Sequence, residues 1–298
     1  MRKMIIFALK IERIMEKLTE RIGRKRLFPT VGDVLVMLLL FAVTQVVSSG
    51  VLQALGVVAP AVSSIDAVDI ETYMNEQYAL ARCVAIMHPV SFILSIVVLW
   101  LYARIRGGRK VIRIRHSASG FNPTLILVGV LWLLTAQMIL EPLLELFPSN
   151  EGQGLGRGFW AAFTAIVSAS VLEEVLCRGV WFEVLYRRWG AATSILISSL
   201  FFGILHFDIS NAIVAVVAGF IFGLLYLRTS SLYVTIIIHS INNAIAFALI
   251  SFGAGDMSFR ELLGGGLIYY VAYAVAVVVL VVISVEESIK VFRGERAK

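Results

Sequence analysis

From residue 31 onward the sequence is a succession of apolar stretches broken by short charged or Gly-rich segments. Each is close to the ~20 residues that carry a helix through the ~30 Å hydrocarbon core of a bilayer. Lipid offers no partners for backbone N–H and C=O groups, so stretches of this length cross it as α-helices. The expected fold class is therefore all-α, a polytopic transmembrane helical bundle of about eight spans. Composition agrees: 59% of the 298 residues are hydrophobic and 15% are charged, against roughly 45–50% apolar in a soluble domain.

The basic residues give the orientation, because short loops rich in Lys and Arg stay on the cytoplasmic side. Spans are expected near residues 31–55, 82–102, 121–146, 159–185 and 191–207, then one ending near 227, one at 231–252 and one at 267–285. Asp66, Asp69, Glu71 and Glu76 form an acidic outer loop after the first span. Arg104, Arg106, Arg109, Lys110, Arg113 and Arg115 form a basic inner loop after the second, and Arg187, Arg188, Arg228, Lys290, Arg293, Arg296 and Lys298 continue the inner side. Both chain ends are then cytoplasmic. The net charge of +6 is accounted for by this pattern, so no nucleic-acid partner is expected.

Residues 2–26 carry nine Lys or Arg residues with Ile11, Met15, Leu18 and Ile22 at helical spacing, which reads as a basic amphipathic helix on the membrane surface rather than a signal peptide. Four segments follow from this reading: the basic helix (1–28), spans one to three with their loops (29–158), a core of spans four to seven (159–252), and the last span with its tail (253–298). Cys83 and Cys177 lie inside apolar stretches, so neither a disulfide nor a Cys-ligated metal is expected.

Polar groups inside the spans need a reason, since even the lenient insertion scale charges about 2.5 kcal/mol for an ionised side chain at mid-bilayer. Glu173, Glu174 and Arg178 interrupt the fourth span. Glu174 and Arg178, four apart, share a helical face and can pair; Glu173 points about 100° away. Counting a rise of 1.5 Å per residue from the cytoplasmic end of each span puts Glu173 about 18 Å deep, His206 about 22 Å, His239 about 12 Å and Asn243 about 18 Å. Three helices thus bring polar groups to one level. Phe202 shares a face with His206 and reads as packing. His88, beside Pro89, reads as an interhelical hydrogen-bond donor, and Glu141 and Glu145 as solvated carboxylates at the outer interface.

A carboxylate beside an imidazole can activate a water, and a second imidazole with an amide can donate to a developing oxyanion, which together describe peptide hydrolysis without a covalent intermediate. The same Glu173, His206 and His239 could instead supply three zinc ligands with an open fourth position. A non-catalytic transporter, immunity or scaffold protein would use the cluster only for binding.

In order on successive helices, Glu173-Glu174-x-x-x-Arg178, Phe202-x-x-x-His206 and His239-x-x-x-Asn243 resemble the three motifs of the CAAX protease and bacteriocin-processing (Abi) family, over roughly residues 159–250. The resemblance implies a metal-independent intramembrane glutamic endopeptidase with no cofactor, in a multi-pass protein of the bacterial cell membrane. Glu173 with His206 would activate the water, His239 with Asn243 would form the oxyanion site, and Glu174, Arg178 and Phe202 would support them. The implied substrate is a membrane-associated peptide or protein, prenylated for some relatives, reached through a cavity open to the cytoplasm.

Overall fold

A computed structural model describes residues 28–63, 67–108, 112, 114–115, 122–147, 155–206, 208–255 and 257–294. The regular elements among the described residues are helices, with no strand among them. The basic amphipathic helix expected over 2–26, and Asp66, Arg109, Lys110, Arg113, Arg296 and Lys298 of the charged segments, lie outside the described residues.

Helix α1 (Val31–Ala54) starts on a capping box in which Asp33 N–H donates to Thr30 Oγ1 at 3.1 Å and Thr30 N–H donates to Asp33 at 2.8 Å. Helix α2 (Ile70–Gly107) is 38 residues, well beyond the stretch expected at 82–102. Asp69 caps it by accepting Thr72 N–H at 2.9 Å, so Glu71 and Glu76 belong to the helix and not to a loop. That backbone hydrogen bond from Thr72 also holds the exposed Asp69 carboxyl below the usual carboxylate range. Helix α3 (Pro123–Leu144) begins with Asn122 as cap and proline in the first turn, where a missing N–H has no consequence. Glu141 departs from its expected solvated position: it is 8% exposed, accepts the Tyr269 hydroxyl at 3.0 Å and also accepts the Phe259 backbone N–H. Glu145 is exposed, as expected.

Among the described residues seven helices are long and apolar enough to cross a membrane, one fewer than the eight stretches, because the fourth and fifth are joined in Phe159–Ile204. This helix contains non-helical backbone at Gly190, with φ 75° and ψ −169°. There the chain folds back, so that the rings of Trp181 and Phe201 are 4.5 Å apart, whereas twenty residues of straight helix would separate them by about 30 Å. We call the arms α4 (159–189) and α5 (191–204). Helix α6 (Ile209–Thr229) is capped by Asp208, α7 (Leu232–Ser251) follows, then the short α8 (Phe259–Leu262) and α9 (Gly266–Phe292). Eight long helical arms result, with α5 the shortest.

One large apolar cluster joins them, including Met37 of α1, Leu99 of α2, Leu133 of α3, Trp181 of α4, Phe222 of α6 and Ile238 of α7. Between α1 and α2 runs a polar seam: Thr44 meets Ser95 at 2.8 Å, Gln45 donates to Ser95 at 2.9 Å, and Ser48 donates to Ser91 at 2.8 Å. Such pairs let two helices associate where lipid supplies no hydrophobic driving force.

Candidate active site

The local backbone around the two carboxylates is unusual. Ser170–Glu174 is an α-helical turn between two π-helical stretches, Phe163–Ala169 and Val175–Phe182. A π turn pairs residues five apart instead of four, widening the helix and changing the direction in which later side chains leave it. It also loosens the hydrogen-bond ladder, and the Ala165 carbonyl is open to accept from Asn243 Nδ2 at 2.9 Å.

Glu174 and Arg178 form the support. Both are fully buried, and Arg178 Nη1 donates to Glu174 Oε1 at 2.7 Å. Its Nη2 donates to the Gly219 carbonyl of α6 at 2.9 Å, while the guanidinium lies 4.8 Å from the Phe202 ring centre and 5.1 Å from that of Phe222. A buried cation is tolerable when paired, hydrogen-bonded and faced by aromatic rings in this way.

Glu173 projects to the other side and is 9% exposed. Its Oε2 lies 3.9 Å from His239 Nε2, and its Oε1 lies 3.7 Å from His88 Nε2. The second contact was not foreseen from the sequence, where His88 read as a structural donor. Its sequence signal is a His-Pro pair in mid-span, since Pro89 cannot donate to the carbonyl four residues earlier and so loosens α2 there.

The His239 ring is stacked on Phe222 at 5.2 Å and held edge-on by Phe202 at 5.6 Å. Its Nδ1 faces Glu174 Oε1 at 3.4 Å, a close electrostatic contact rather than an aligned hydrogen bond. Whichever nitrogen carries the proton, a carboxylate faces it. His206 lies just past the end of α5, and its Nδ1 is 3.0 Å from the Phe202 carbonyl. A carbonyl only accepts, so Nδ1 carries the hydrogen and Nε2 of the neutral ring is left as an acceptor. His206 is within electrostatic reach of Glu173 but not in direct contact with it.

Asn243 is half-buried, and its amide nitrogen also faces Ser170 Oγ at 3.4 Å. Its donors are therefore turned toward α4. The structure thus brings Glu173, Glu174, Arg178, Phe202 and His239 into one contact set, sets His206 at its edge, adds His88, and ties Asn243 to the π-helical backbone next to it.

A zinc site on Glu173, His206 and His239 would need the three to converge at about 2 Å from one point. Among the described residues, no group of three His, Cys, Asp or Glu side chains is arranged to hold a metal ion. What the set offers is a carboxylate between imidazoles in a nearly dry helical interior, with an imidazole acceptor nearby.

Residues 156–245 match the family model described as type II CAAX prenyl endopeptidase, Rce1-like. The match covers α4, α5, α6 and the part of α7 that carries His239 and Asn243, and it leaves out His88. No curated protein and no solved structure gives a significant match. With its long apolar helices, the match makes this an integral, multi-pass membrane protein.

Proposed function

We propose that the chain is an intramembrane endopeptidase acting by a Glu173-activated water, a reading supported by the match of residues 156–245 to the type II CAAX prenyl endopeptidase model. The substrate is a peptide or protein delivered from the bilayer, with a prenylated C-terminal segment as the first class to try. The observation that carries the reading is Glu173, buried inside the matched segment, with imidazole nitrogens at 3.7 Å and 3.9 Å from its two oxygens.

The geometry supports the following steps. A water between the Glu173 carboxylate and the acceptor Nε2 of His206 loses a proton to this pair as its oxygen attacks the scissile carbonyl carbon. The negative charge that builds on the carbonyl oxygen is met by N–H of His239, whose ring is clamped by Phe222 and Phe202. The C–N bond then breaks and the departing amine takes the proton, so water has been added across the peptide bond with no covalent enzyme intermediate. Asn243 holds α7 and His239 against α4 with one amide hydrogen on the Ala165 carbonyl, and its second hydrogen, now directed at Ser170 Oγ at 3.4 Å, joins His239 at the oxyanion once it leaves that hydroxyl.

The test uses the purified full chain in lipid vesicles and a fluorogenic farnesylated peptide that partitions into them. Glu173→Gln should lower kcat/KM by about 100- to 10,000-fold, the range of a lost acid–base group, with unchanged protein yield. Treatment with a strong chelator should leave the wild-type rate unchanged. Retained cleavage in Glu173→Gln, or stoichiometric zinc with loss of activity on chelation, would overturn the mechanism.

A further inference from the structure

We propose that His88 of α2 is a positioning residue for Glu173, its Nε2–H set 3.7 Å from Oε1 as an electrostatic restraint that leaves Oε2 for the reacting water. This rests on the endopeptidase reading and adds to it a residue outside the matched segment.

Three contacts define the His88 ring. Nε2 faces Glu173 Oε1 at 3.7 Å, Nδ1 lies 3.2 Å from Ser168 Oγ, and the ring stacks on Phe92 with centroids 4.3 Å apart. A ring used only to fill space needs the stacking alone. The two contacts favour one tautomer: a carboxylate 3.7 Å from Nε2 draws the N–H to that nitrogen, and Nδ1 is then the acceptor for the Ser168 hydroxyl at 3.2 Å. Ser168 and Glu173 are five residues apart, which on an unbroken α-helix sets them about 140° apart. Both nevertheless reach one imidazole, and the wider π turn ending at Ala169 permits it.

The consequence for the reaction is directional. Glu173 has two oxygens and several charged or titratable neighbours: His88 from α2, Glu174 and Arg178 on its own helix, His206 beyond α5 and His239 from α7. Without that N–H beside Oε1 the carboxylate can turn about its Cγ–Cδ bond and lose the alignment of Oε2 with the water. A misplacement of about 1 Å at a reacting group is worth about 100-fold in rate. With His88 in place the carboxylate is held from one side by α2, which otherwise contributes no motif residue to the site.

The test compares two replacements on the full chain in vesicles with the farnesylated peptide. His88→Phe keeps an aromatic ring and its stacking but has no donor; His88→Gln loses the stack but can offer an amide N–H where Nε2–H was. We expect His88→Phe to lose about 100-fold in kcat with KM within a factor of two, and His88→Gln to recover at least tenfold of that loss. Equal activity of His88→Phe and wild type, or His88→Gln worse than His88→Phe, would overturn the proposal. Imidazole nitrogen NMR of the same protein decides independently of turnover, since only four histidines need assignment. It should find the His88 proton on Nε2, with that resonance shifted in Glu173→Gln; a proton on Nδ1 would overturn the positioning role even if no peptide is cleaved. Absence of cleavage by wild type together with the expected His88 spectrum would instead count against the endopeptidase reading.

Discussion

At the scale of single residues, the adjacent carboxylates divide into support and chemistry. Glu174 is fully buried, paired with Arg178, and shares that cation with Gly219 and two aromatic rings. Removing one member of such a pair strands the other charge in a dry interior, at about 3–5 kcal/mol. Arg178→Ala should therefore lower the thermal midpoint of the purified protein and its yield, whereas Glu173→Gln should leave both near wild type; thermal unfolding followed by intrinsic fluorescence checks the contrast. The division was legible from spacing, because residues four apart share a face whatever surrounds them. His88 was not legible in the same way. A lone histidine in an apolar helix has no motif partner in sequence, and the one that matters, Glu173, is brought to it only by the packing of α2 on α4.

At the scale of elements, the positions of turns and close approaches decide whether the motif residues meet. Gly190 has φ 75° in a region that side-chain-bearing residues scarcely visit, and no atom lies near enough to obstruct a methyl group there. Gly190→Ala should cost about 1–3 kcal/mol through backbone strain alone, read in the same unfolding measurement. Gly219 makes a different demand: a methyl group on it would come within 2.9 Å of Ser199 Cα and 3.4 Å of Arg178 Nη2. Gly219→Ala should push α6 from α5 and destabilise by about 1–3 kcal/mol, and it should lower activity as well because Arg178 moves. Span positions were readable to within a few residues for α1, α3 and α7, where apolar length and turn residues agree. The length of α2 was not, because Glu71 and Glu76 look like loop residues until Asp69 is seen to cap a helix that runs through them. The π-helical stretches left no trace in periodicity, since apart from Thr164, Ser168 and Arg178 their residues are apolar or small like those of the helix around them.

At the scale of the whole molecule, the two ends of the bundle treat carboxylates differently. At the end where α1 begins and α2 stops, acids pair with cations: Asp33 with Arg106 at 2.8 Å, Glu183 with Arg115 at 2.9 Å, Glu287 with Arg228 at 3.4 Å and with Lys290 at 2.8 Å. At the opposite end they accept from hydroxyls and backbone N–H groups, as Glu76 does from Ser63 at 2.7 Å and Glu141 from Tyr269 at 3.0 Å. Cations gather where the positive-inside rule puts the cytoplasm. A cysteine at exposed Glu261 should thus react with a membrane-impermeant maleimide on intact cells, and one at exposed Glu286 only after permeabilisation, with little background from buried Cys83 and Cys177. Between the two ends lies the polar set whose use is the central claim, namely that the Glu173 carboxylate activates water to cut a membrane-delivered peptide. The most direct measurement is a mass-spectrometric comparison of peptides released by cells producing wild-type protein or Glu173→Ala at matched levels. The account predicts a set of cleavage products present with wild type and missing with Glu173→Ala; identical products from both would contradict it.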